Sequence, residues 1–293
     1  MAKIPLADRF AGAPISWGVC EAPGWGHELP ADRVLADMGS LGLRATELGP
    51  TGYLGPDPDA VRATLDRHGL RLVGGFLPLP LHLDGVDLTE AVDAMRTLAA
   101  AGGEIVVLAA RSLGGGYDRK VRLSDGEWRL LAENLARVRE VAHSLGLRSC
   151  LHPHVGTAVE DAESVDRLVD LSDVPLCIDT GHLLIGGTDP LDLVRRHPDR
   201  VGHVHLKDVN ASVADKVSAS SVSYLEAVRE GLYTPLGDGD LDILAIIRVL
   251  EEGEYQGWYV LEQDTALAGP PVAGAGPIDD VRRSLLHLKG VIP

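Results

Sequence analysis

Short apolar, β-branched runs recur along the chain, and each is followed by a longer stretch in which apolar residues have helical spacing. Eight such runs begin near Ala13 (APISWGV), Leu43 (LRATEL), Arg71 (RLVGGFL), Glu104 (EIVVLAA), Leu147 (LRSCLHPH), Val174 (VPLCID), Val201 (VGHVHLK) and Gly257 (GWYVLEQ). A strand followed by a helix at intervals of roughly 30 residues predicts parallel strands joined by right-handed crossovers.

The segments between these runs predict helices over residues 30–41, 57–68, 88–101, 126–145, 162–171 and 243–252, and Gly42, Gly69 and Gly146 supply typical helix C-caps. Eight strand-helix units favour an α/β fold, a closed (β/α)8 TIM barrel with a single domain over residues 1–293. An open dinucleotide-binding sheet is disfavoured because no GxGxxG follows the first strand. The longest interruption, around residues 210–240, is expected to form a lid over the site.

Polar side chains collect where the strands end. In such a barrel the chemistry sits at the carboxyl ends of the strands. Glu47 ends the second run, Trp17 lies near the end of the first, and the later runs end in HPH (His152–His154), DTGH (Asp179–His182), HVHLKD (His203–Asp208) and EQD (Glu262–Asp264). Since side chains alternate faces along a strand, two histidine pairs and at least two carboxylates are expected to face one space.

This combination of side chains predicts a metal centre. A single histidine at a strand end is most often a hydrogen-bonded core residue, but five of the 11 histidines lie at the ends of three successive strands. Imidazole and carboxylate together suit Mn²⁺, Co²⁺, Fe²⁺ or Zn²⁺. The three cysteines, Cys20, Cys150 and Cys177, cannot all pair and show no CxxC spacing, so they are interpreted as small core residues.

These motifs also carry a family resemblance. The strings DTGH from Asp179 and HVHLKD from His203, with the strand-final Glu262, resemble the xylose-isomerase-like TIM barrels of the sugar phosphate isomerase/epimerase superfamily. The strings PISWG, TELGPTGYL, HPHVGT, PLGDG and GWYVLEQD resemble its myo-inosose-2 dehydratase branch, which acts in inositol catabolism. The resemblance covers nearly the whole chain.

The resemblance implies a metal held by His152, Asp179, His205 and Glu262, with Mn²⁺ or Co²⁺ expected and Zn²⁺, Fe²⁺ or Mg²⁺ as alternatives. Isomerases and epimerases of the superfamily carry a glutamate where this chain has His152. In the epimerases the two ligand glutamates also exchange protons on either face of a carbon. The histidine therefore disfavours a simple epimerase mechanism.

The implied activity is that of a lyase, a metal-dependent dehydratase that removes water from 2-keto-myo-inositol or a related keto-cyclitol or keto-sugar through an enolate. Candidate catalytic residues are Glu262, His154, Lys207 and Glu47, and candidate substrate-binding residues are His182, Trp17, His203 and Asp264. Which group is the base and which the acid stays open. Simpler roles are a Lys207–Asp208 ion pair at the rim, a helix cap for Glu47 and a core position for Trp17.

The alternative activity is a divalent-metal-dependent sugar (phosphate) isomerase or epimerase acting on a ketose or hydroxypyruvate. Lys and Arg total 27 against 43 Asp and Glu, a net charge of −16, which argues against an endonuclease IV-like DNA repair barrel. Retention of Asp179, His205 and Glu262 together argues against a non-catalytic binding protein. The only expected partner is a small polyol or keto-sugar, and the superfamily resemblance suggests a homo-oligomer.

The chain shows no apolar run of the roughly 18 residues needed to span a bilayer, and its first residues lack the apolar stretch of a signal peptide. We therefore expect a cytoplasmic protein that binds neither membrane nor nucleic acid.

Overall fold

A computed structural model describes residues 4–114 and 116–292. In these residues the strands are β1 (Phe10–Gly12), β2 (Ala45–Thr46), β3 (Arg71–Leu72), β4 (Gly74–Leu79), β5 (Ile105–Ala110), β6 (Arg148–Leu151), β7 (Leu176–Asp179), β8 (Val201–Leu206), β9 (Asp208–Val209), β10 (Tyr233–Thr234) and β11 (Tyr259–Leu261). All pairings in the large sheet are parallel, in the order β3-β2-β1-β11-β8-β7-β6-β5-β4. Strands β9 and β10 form a separate antiparallel pair.

The two edge segments of this sheet, β3 and β4, are halves of one strand interrupted at Val73. The Val73 N–H donates to the Thr46 carbonyl at 2.9 Å, and the Val73 carbonyl accepts from the Ile105 N–H at 3.2 Å. The chain therefore joins the β2 side of the sheet to the β5 side. Within the described residues the sheet closes into eight barrel strands, which confirms the predicted (β/α)8 TIM barrel.

The helices are α1 (Ala31–Ser40), α2 (Pro58–His68), α3 (Thr89–Ala100), α4 (Asp125–Ser144), α5 (Ala162–Leu171), α6 (Thr180–Ile185), α7 (Pro190–Arg196), α8 (Ala211–Ser218), α9 (Tyr224–Arg229), α10 (Ile243–Glu252) and α11 (Pro277–Leu288). The six helices predicted from spacing agree with α1 to α5 and α10 to within one residue at each end. Gly42, Gly69 and Gly146 have positive φ values of 85°, 66° and 79°, as the C-cap interpretation requires. In the part of the chain that is described, no helix has both the length and the apolar character to cross a membrane.

The first strand begins earlier than its sequence pattern predicts. Strand β1 is Phe10–Gly12, whereas Pro14–Trp17 form a 3-10 helix. Pro14 has no N–H to give to a neighbouring strand and its φ is fixed, so it starts the helix instead. As a result Trp17 is fully buried in the hydrophobic core, where its Nε1–H donates to the Asp37 carboxylate at 3.3 Å.

The segment expected to form a lid, residues 210–240, contains α8, α9 and β10. It is fastened to β9 by the buried carboxylate of Asp208, which accepts four backbone N–H groups at 2.8 to 3.1 Å, from Val209, Gly237, Gly239 and Leu241. Asp208 is thus a structural anchor, and the suggested Lys207–Asp208 ion pair is not formed.

Small and apolar side chains fill the lower interior of the barrel. This floor cluster comprises Ala11, Ala13, Ala45, Val73, Ile105, Val107, Cys150, Cys177, Trp258 and Val260. Strand alternation places the next inward side chains, two residues further along each strand, above the floor. These include His152, Asp179 and Glu262, so the floor supports a polar layer at the carboxyl ends of the strands.

Candidate active site and metal centre

A cavity of about 420 Å³ opens at the carboxyl ends of the barrel strands. Its polar lining consists of Glu21, Glu47, Thr51, Tyr117, His152, His154, His205, Glu262 and Asp264. Apolar residues line the remainder, and the most prominent is Phe76 on β4, whose side chain is 37% exposed although it is inside the barrel mouth. A cavity with one apolar wall and one polar wall suits a ring that carries both C–H and hydroxyl groups.

Three buried donor atoms from different strands converge beneath this cavity. His205 Nδ1 lies 2.5 Å from Glu262 Oε2 and 3.6 Å from Asp179 Oδ2, and ligand atoms of the three residues all lie within 4.8 Å of one another. Among the described residues none of these three atoms has a hydrogen-bond partner. Burying two carboxylate oxygens around an imidazole nitrogen is costly unless a proton or a metal ion joins them. The arrangement therefore fits a divalent metal ion.

His152 borders the same three residues. Its Nδ1 lies 2.6 Å from the Pro153 carbonyl, which can only accept, so this nitrogen carries the hydrogen. The other ring nitrogen, Nε2, faces the proposed ligands and lies 3.3 Å from Asp179 Oδ2. His152 is 1% exposed. It can supply a fourth ligand to an ion held by Asp179, His205 and Glu262.

Glu47 lies behind His205 and orients its ring. Glu47 Oε1 is 2.8 Å from His203 Nε2 and 3.0 Å from His205 Nε2, so one carboxylate oxygen accepts from two imidazoles. Burial alone would raise the pKa of Glu47, but His205 and His203 lower it below its ordinary range and keep the carboxylate charged. With Nε2 of His205 donating to Glu47, Nδ1 is left free to face Asp179 and Glu262.

Lys207 lies at the centre of an ionic network below the cavity. Its Nζ is 3.0 Å from Glu262 Oε1, 2.5 Å from Asp264 Oδ1 and 3.1 Å from His182 Nε2. Burial by itself would lower the pKa of Lys207, but the surrounding Asp179, Asp264 and Glu262 raise it well above its ordinary value. Lys207 is therefore a fixed positive charge with all three N–H bonds engaged.

Two tyrosines from residues 210–240 complete this network. The Tyr224 hydroxyl donates to Asp264 Oδ2 at 2.6 Å and contacts the Tyr233 hydroxyl at 2.8 Å, while Lys207 Nζ lies 5.1 Å from the centre of the Tyr233 ring. Both tyrosines are buried. The segment therefore contributes side chains to this network.

The rings of His154 and His182 lie against each other, with centroids 3.8 Å apart and planes tilted by 33°. His154 Nδ1 lies 2.8 Å from the Val155 carbonyl, so its Nε2 is an unprotonated acceptor. Burial, with the nearby charges of His152 and Lys207, lowers the pKa of His154 to about 3. Burial likewise lowers the pKa of His182 well below its ordinary value. Both rings are neutral near pH 7, and only His154 of the two lines the cavity.

The structure brings most of the sequence-predicted site residues together. Glu47, His152, His154, His205, Glu262 and Asp264 line the cavity, whereas Asp179, His182 and Lys207 lie directly beneath it. Trp17 and His203, predicted to bind substrate, lie elsewhere: Trp17 is bonded to Asp37 in the core, and His203 is fully buried under Glu47. Neither side chain can touch a ligand in the cavity.

Sequence reasoning missed Phe76, Tyr117, Tyr224 and Tyr233. Phe76 sits in a run read only as a strand, and alternation counted from the inward-facing Val73 would place it on the opposite face. The interruption at Val73 shifts the register, so that Phe76 pairs with the inward-facing Val107 and faces the barrel interior. Tyr117 stacks on Tyr224 at 4.9 Å. The tyrosine contacts depend on how residues 210–240 fold over the barrel, and no motif marks them.

Comparison with known protein families agrees with this geometry. The family model described as xylose isomerase-like TIM barrel matches residues 35–289. The chain belongs to this family. It is 36% identical over 297 residues to an inosose dehydratase of Geobacillus kaustophilus, with 96% of each chain covered. It is 33% identical to an inosose dehydratase of Lacticaseibacillus casei, covering 88% of this chain and 91% of the relative.

Solved structures with the same fold are more distant in sequence. The IolI protein with a bound zinc atom has a TM-score of 0.69 at 14% identity, covering 97% of this chain and 98% of that one. The probable 3-DHS dehydratase AsbF from Bacillus anthracis has a TM-score of 0.69 at 15% identity, with coverages of 96% and 98%. The inosose dehydratases that it resembles show that the chain is an enzyme and place it among the lyases.

Proposed function

We propose that this enzyme removes water from 2-keto-myo-inositol, or from a closely related keto-cyclitol, with the help of one divalent metal ion, and that it acts in inositol catabolism. The observation that carries the metal dependence is the convergence of three buried, unpartnered donor atoms, from Asp179, His205 and Glu262. The inosose dehydratases that resemble the chain over most of its length support the substrate class.

His152, Asp179, His205 and Glu262 would hold the ion. Two imidazole nitrogens and two carboxylate oxygens suit Mn²⁺ or Co²⁺, and they also accommodate Zn²⁺, Fe²⁺ or Mg²⁺. When bound, the ion would polarise the ketone and offset the negative charge that builds on its oxygen. Glu47 is a positioning residue in this scheme, because it orients His205 without touching the ion.

Glu262 is the proposed base for the proton on the carbon next to the ketone. It lines the cavity and is a carboxylate, since His205 and Lys207 lower its pKa to about 2 against the opposing effect of burial. In the second step the same carboxyl group gives that proton to the departing hydroxyl on the adjacent carbon, so that water leaves. One residue thus serves both steps on one face of the ring.

Lys207 and His154 support this chemistry in different ways. The fixed charge of Lys207, 3.0 Å from Glu262 Oε1, orients that carboxylate and stabilises negative charge developing above it. The unprotonated Nε2 of His154 accepts a hydrogen bond from a substrate hydroxyl. Asp264 is bonded to both Lys207 and Tyr224 and keeps the ammonium group in place.

The same geometry disfavours an epimerase or isomerase, the second candidate class. Such an enzyme needs a proton-transferring group on each face of the carbon. His152 occupies the position of the second glutamate, and its ring is tied to the Pro153 carbonyl and the Asp179 carboxylate. A base and acid both supplied by Glu262, on one face of the ring, are suited to elimination.

The test is turnover of 2-keto-myo-inositol by metal-stripped enzyme resupplied with Mn²⁺ or Co²⁺, followed by the ultraviolet absorbance of the diketone product. We expect activity only with added metal, and loss of activity in His205→Ala. An exposed His143→Ala variant on α4 serves as the matched control and keeps activity. If the enzyme binds metal stoichiometrically but forms no diketone, and instead interconverts ketoses, the dehydratase proposal is wrong and the epimerase class replaces it.

A further inference from the structure

A second set of donor atoms lies below the proposed metal centre. His152, Cys177 and His205 are all buried, and one ligand atom from each lies within 4.8 Å of the others. Cys177 is fully buried, and His205 Nδ1 has no hydrogen-bond partner among the described residues. This set offers a cation a sulfur ligand and two imidazoles, whereas the proposed metal centre offers carboxylate oxygens with the same imidazoles.

Strand geometry explains why Cys177 faces these histidines. Cys177 and Asp179 are two residues apart on β7 and point into the barrel together. The rise of about 3.3 Å per residue places the Cys177 Cα roughly 6.6 Å deeper than that of Asp179. Leu151 of β6 pairs with Leu176 of β7, so the following residues, His152 and Cys177, lie side by side. His152 therefore lies level with Cys177, whereas His205, which is in register with Asp179, lies two residues above it.

Each of these histidines has only one ring nitrogen available. Nδ1 of His152 is bonded to the Pro153 carbonyl, and Nε2 of His205 is bonded to Glu47. The upper and lower donor sets therefore draw on the same two nitrogens. The two donor sets therefore cannot each hold an ion at the same time, and binding at one set excludes binding at the other.

We propose that His152, Cys177 and His205 form an alternative site for thiophilic divalent cations such as Cd²⁺, and that an ion held there excludes the ion of the upper site. Thiolate ligands select soft or borderline cations, whereas carboxylates select hard ones. Binding releases the thiol proton to solvent as the metal–sulfur bond forms. This inference uses two imidazoles of the proposed metal centre, but it concerns binding and does not depend on the identity of the substrate.

The experiment titrates metal-stripped, full-length Cys20→Ser protein with Cd²⁺, recording the ultraviolet sulfur-to-cadmium charge-transfer band and the displacement of bound Mn²⁺. The Cys20→Ser change removes the only thiol outside the barrel floor. We expect one Cd²⁺ per chain with the band present, and release of Mn²⁺ as Cd²⁺ binds. Adding Cys177→Ser abolishes the band and weakens Cd²⁺ binding by roughly tenfold or more, with Mn²⁺ affinity unchanged within about twofold.

Cys150→Ser is the matched control, because Cys150 is an equally buried neighbouring thiol outside the three-residue set. It should keep the band and the Cd²⁺ affinity. Cd²⁺ bound without the band in the Cys20→Ser protein, or a band that survives Cys177→Ser, would overturn the inference. If Cys177→Ser does not fold, the Cys150→Ser variant decides the question, because a band that persists in it can come only from Cys177. Absence of dehydratase turnover would leave the band unaffected, so the two proposals can fail separately.

Discussion

The carboxylate of Glu47 offers a sharp test of the proposed metal centre, because it acts on the ion only through His205. Glu47→Gln keeps the size of the side chain and an acceptor oxygen, but it removes the charge. Hydrogen bonds to a charged acceptor are roughly twice as strong as neutral ones. The variant therefore weakens the bonds of 2.8 and 3.0 Å to His203 and His205 without deleting them.

Loss of a carboxylate behind a metal-bound histidine typically lowers metal affinity by roughly 10- to 100-fold. Because the glutamine retains one acceptor, we expect the lower end, about tenfold or about 1.4 kcal/mol of binding free energy. Both imidazole bonds contribute to folding, so the metal-free variant should also lose about 1 to 2 kcal/mol of unfolding free energy.

Calorimetric titration with Mn²⁺ measures the affinity, and urea unfolding of the metal-free protein measures the stability. Glu133→Gln, an exposed position on α4, makes the same chemical change away from the site and should alter neither quantity. If Glu47→Gln binds Mn²⁺ within about twofold of the unchanged protein while its stability falls, then Glu47 only supports the fold and does not orient a metal ligand.

Three further variants test other parts of the site. Asp208→Asn puts an amide N–H against backbone N–H donors, so we expect the free energy of unfolding to fall by about 2 to 4 kcal/mol, as measured by thermal unfolding. We also expect faster proteolysis within residues 210–240. Asp238→Asn, at a half-exposed position, is the control and should change neither measurement. Gly181→Ala would set a Cβ 2.7 Å from the Cβ of Lys207, which orients Glu262, and should lower kcat by at least about tenfold. Gly126→Ala on a helix surface meets nothing closer than 3.9 Å and should leave kcat unchanged. Phe76→Ala removes an apolar contact with the substrate and should raise KM by roughly tenfold with little change in kcat. An unchanged KM would show that Phe76 does not contact the substrate.

The surroundings of Trp17 and Lys207 could not be predicted from the sequence. An apolar run at Ala13 predicts a strand, yet Pro14 ends the strand pattern and turns Trp17 into the core toward Asp37. For Lys207 the alternating pattern correctly gave an inward-facing side chain. It did not show that three partners from different strands and helices surround the ammonium group, because such partners come together only when the barrel closes.

Local periodicity and strand alternation were enough to determine the fold class and the helix positions, because these depend on residues close together in the chain. They also indicated a metal centre at the strand ends, and the family resemblance supplied its four ligand candidates. The sequence also showed that His152 stands where isomerases and epimerases of the superfamily carry a glutamate. Tertiary structure alone decided that Glu47 orients His205, that Tyr224 and Tyr233 reach the network, and that Cys177 faces the same imidazoles as Asp179. Each of these contacts joins residues far apart in sequence, and it exists only because barrel closure and the packing of residues 210–240 bring them within a few ångströms.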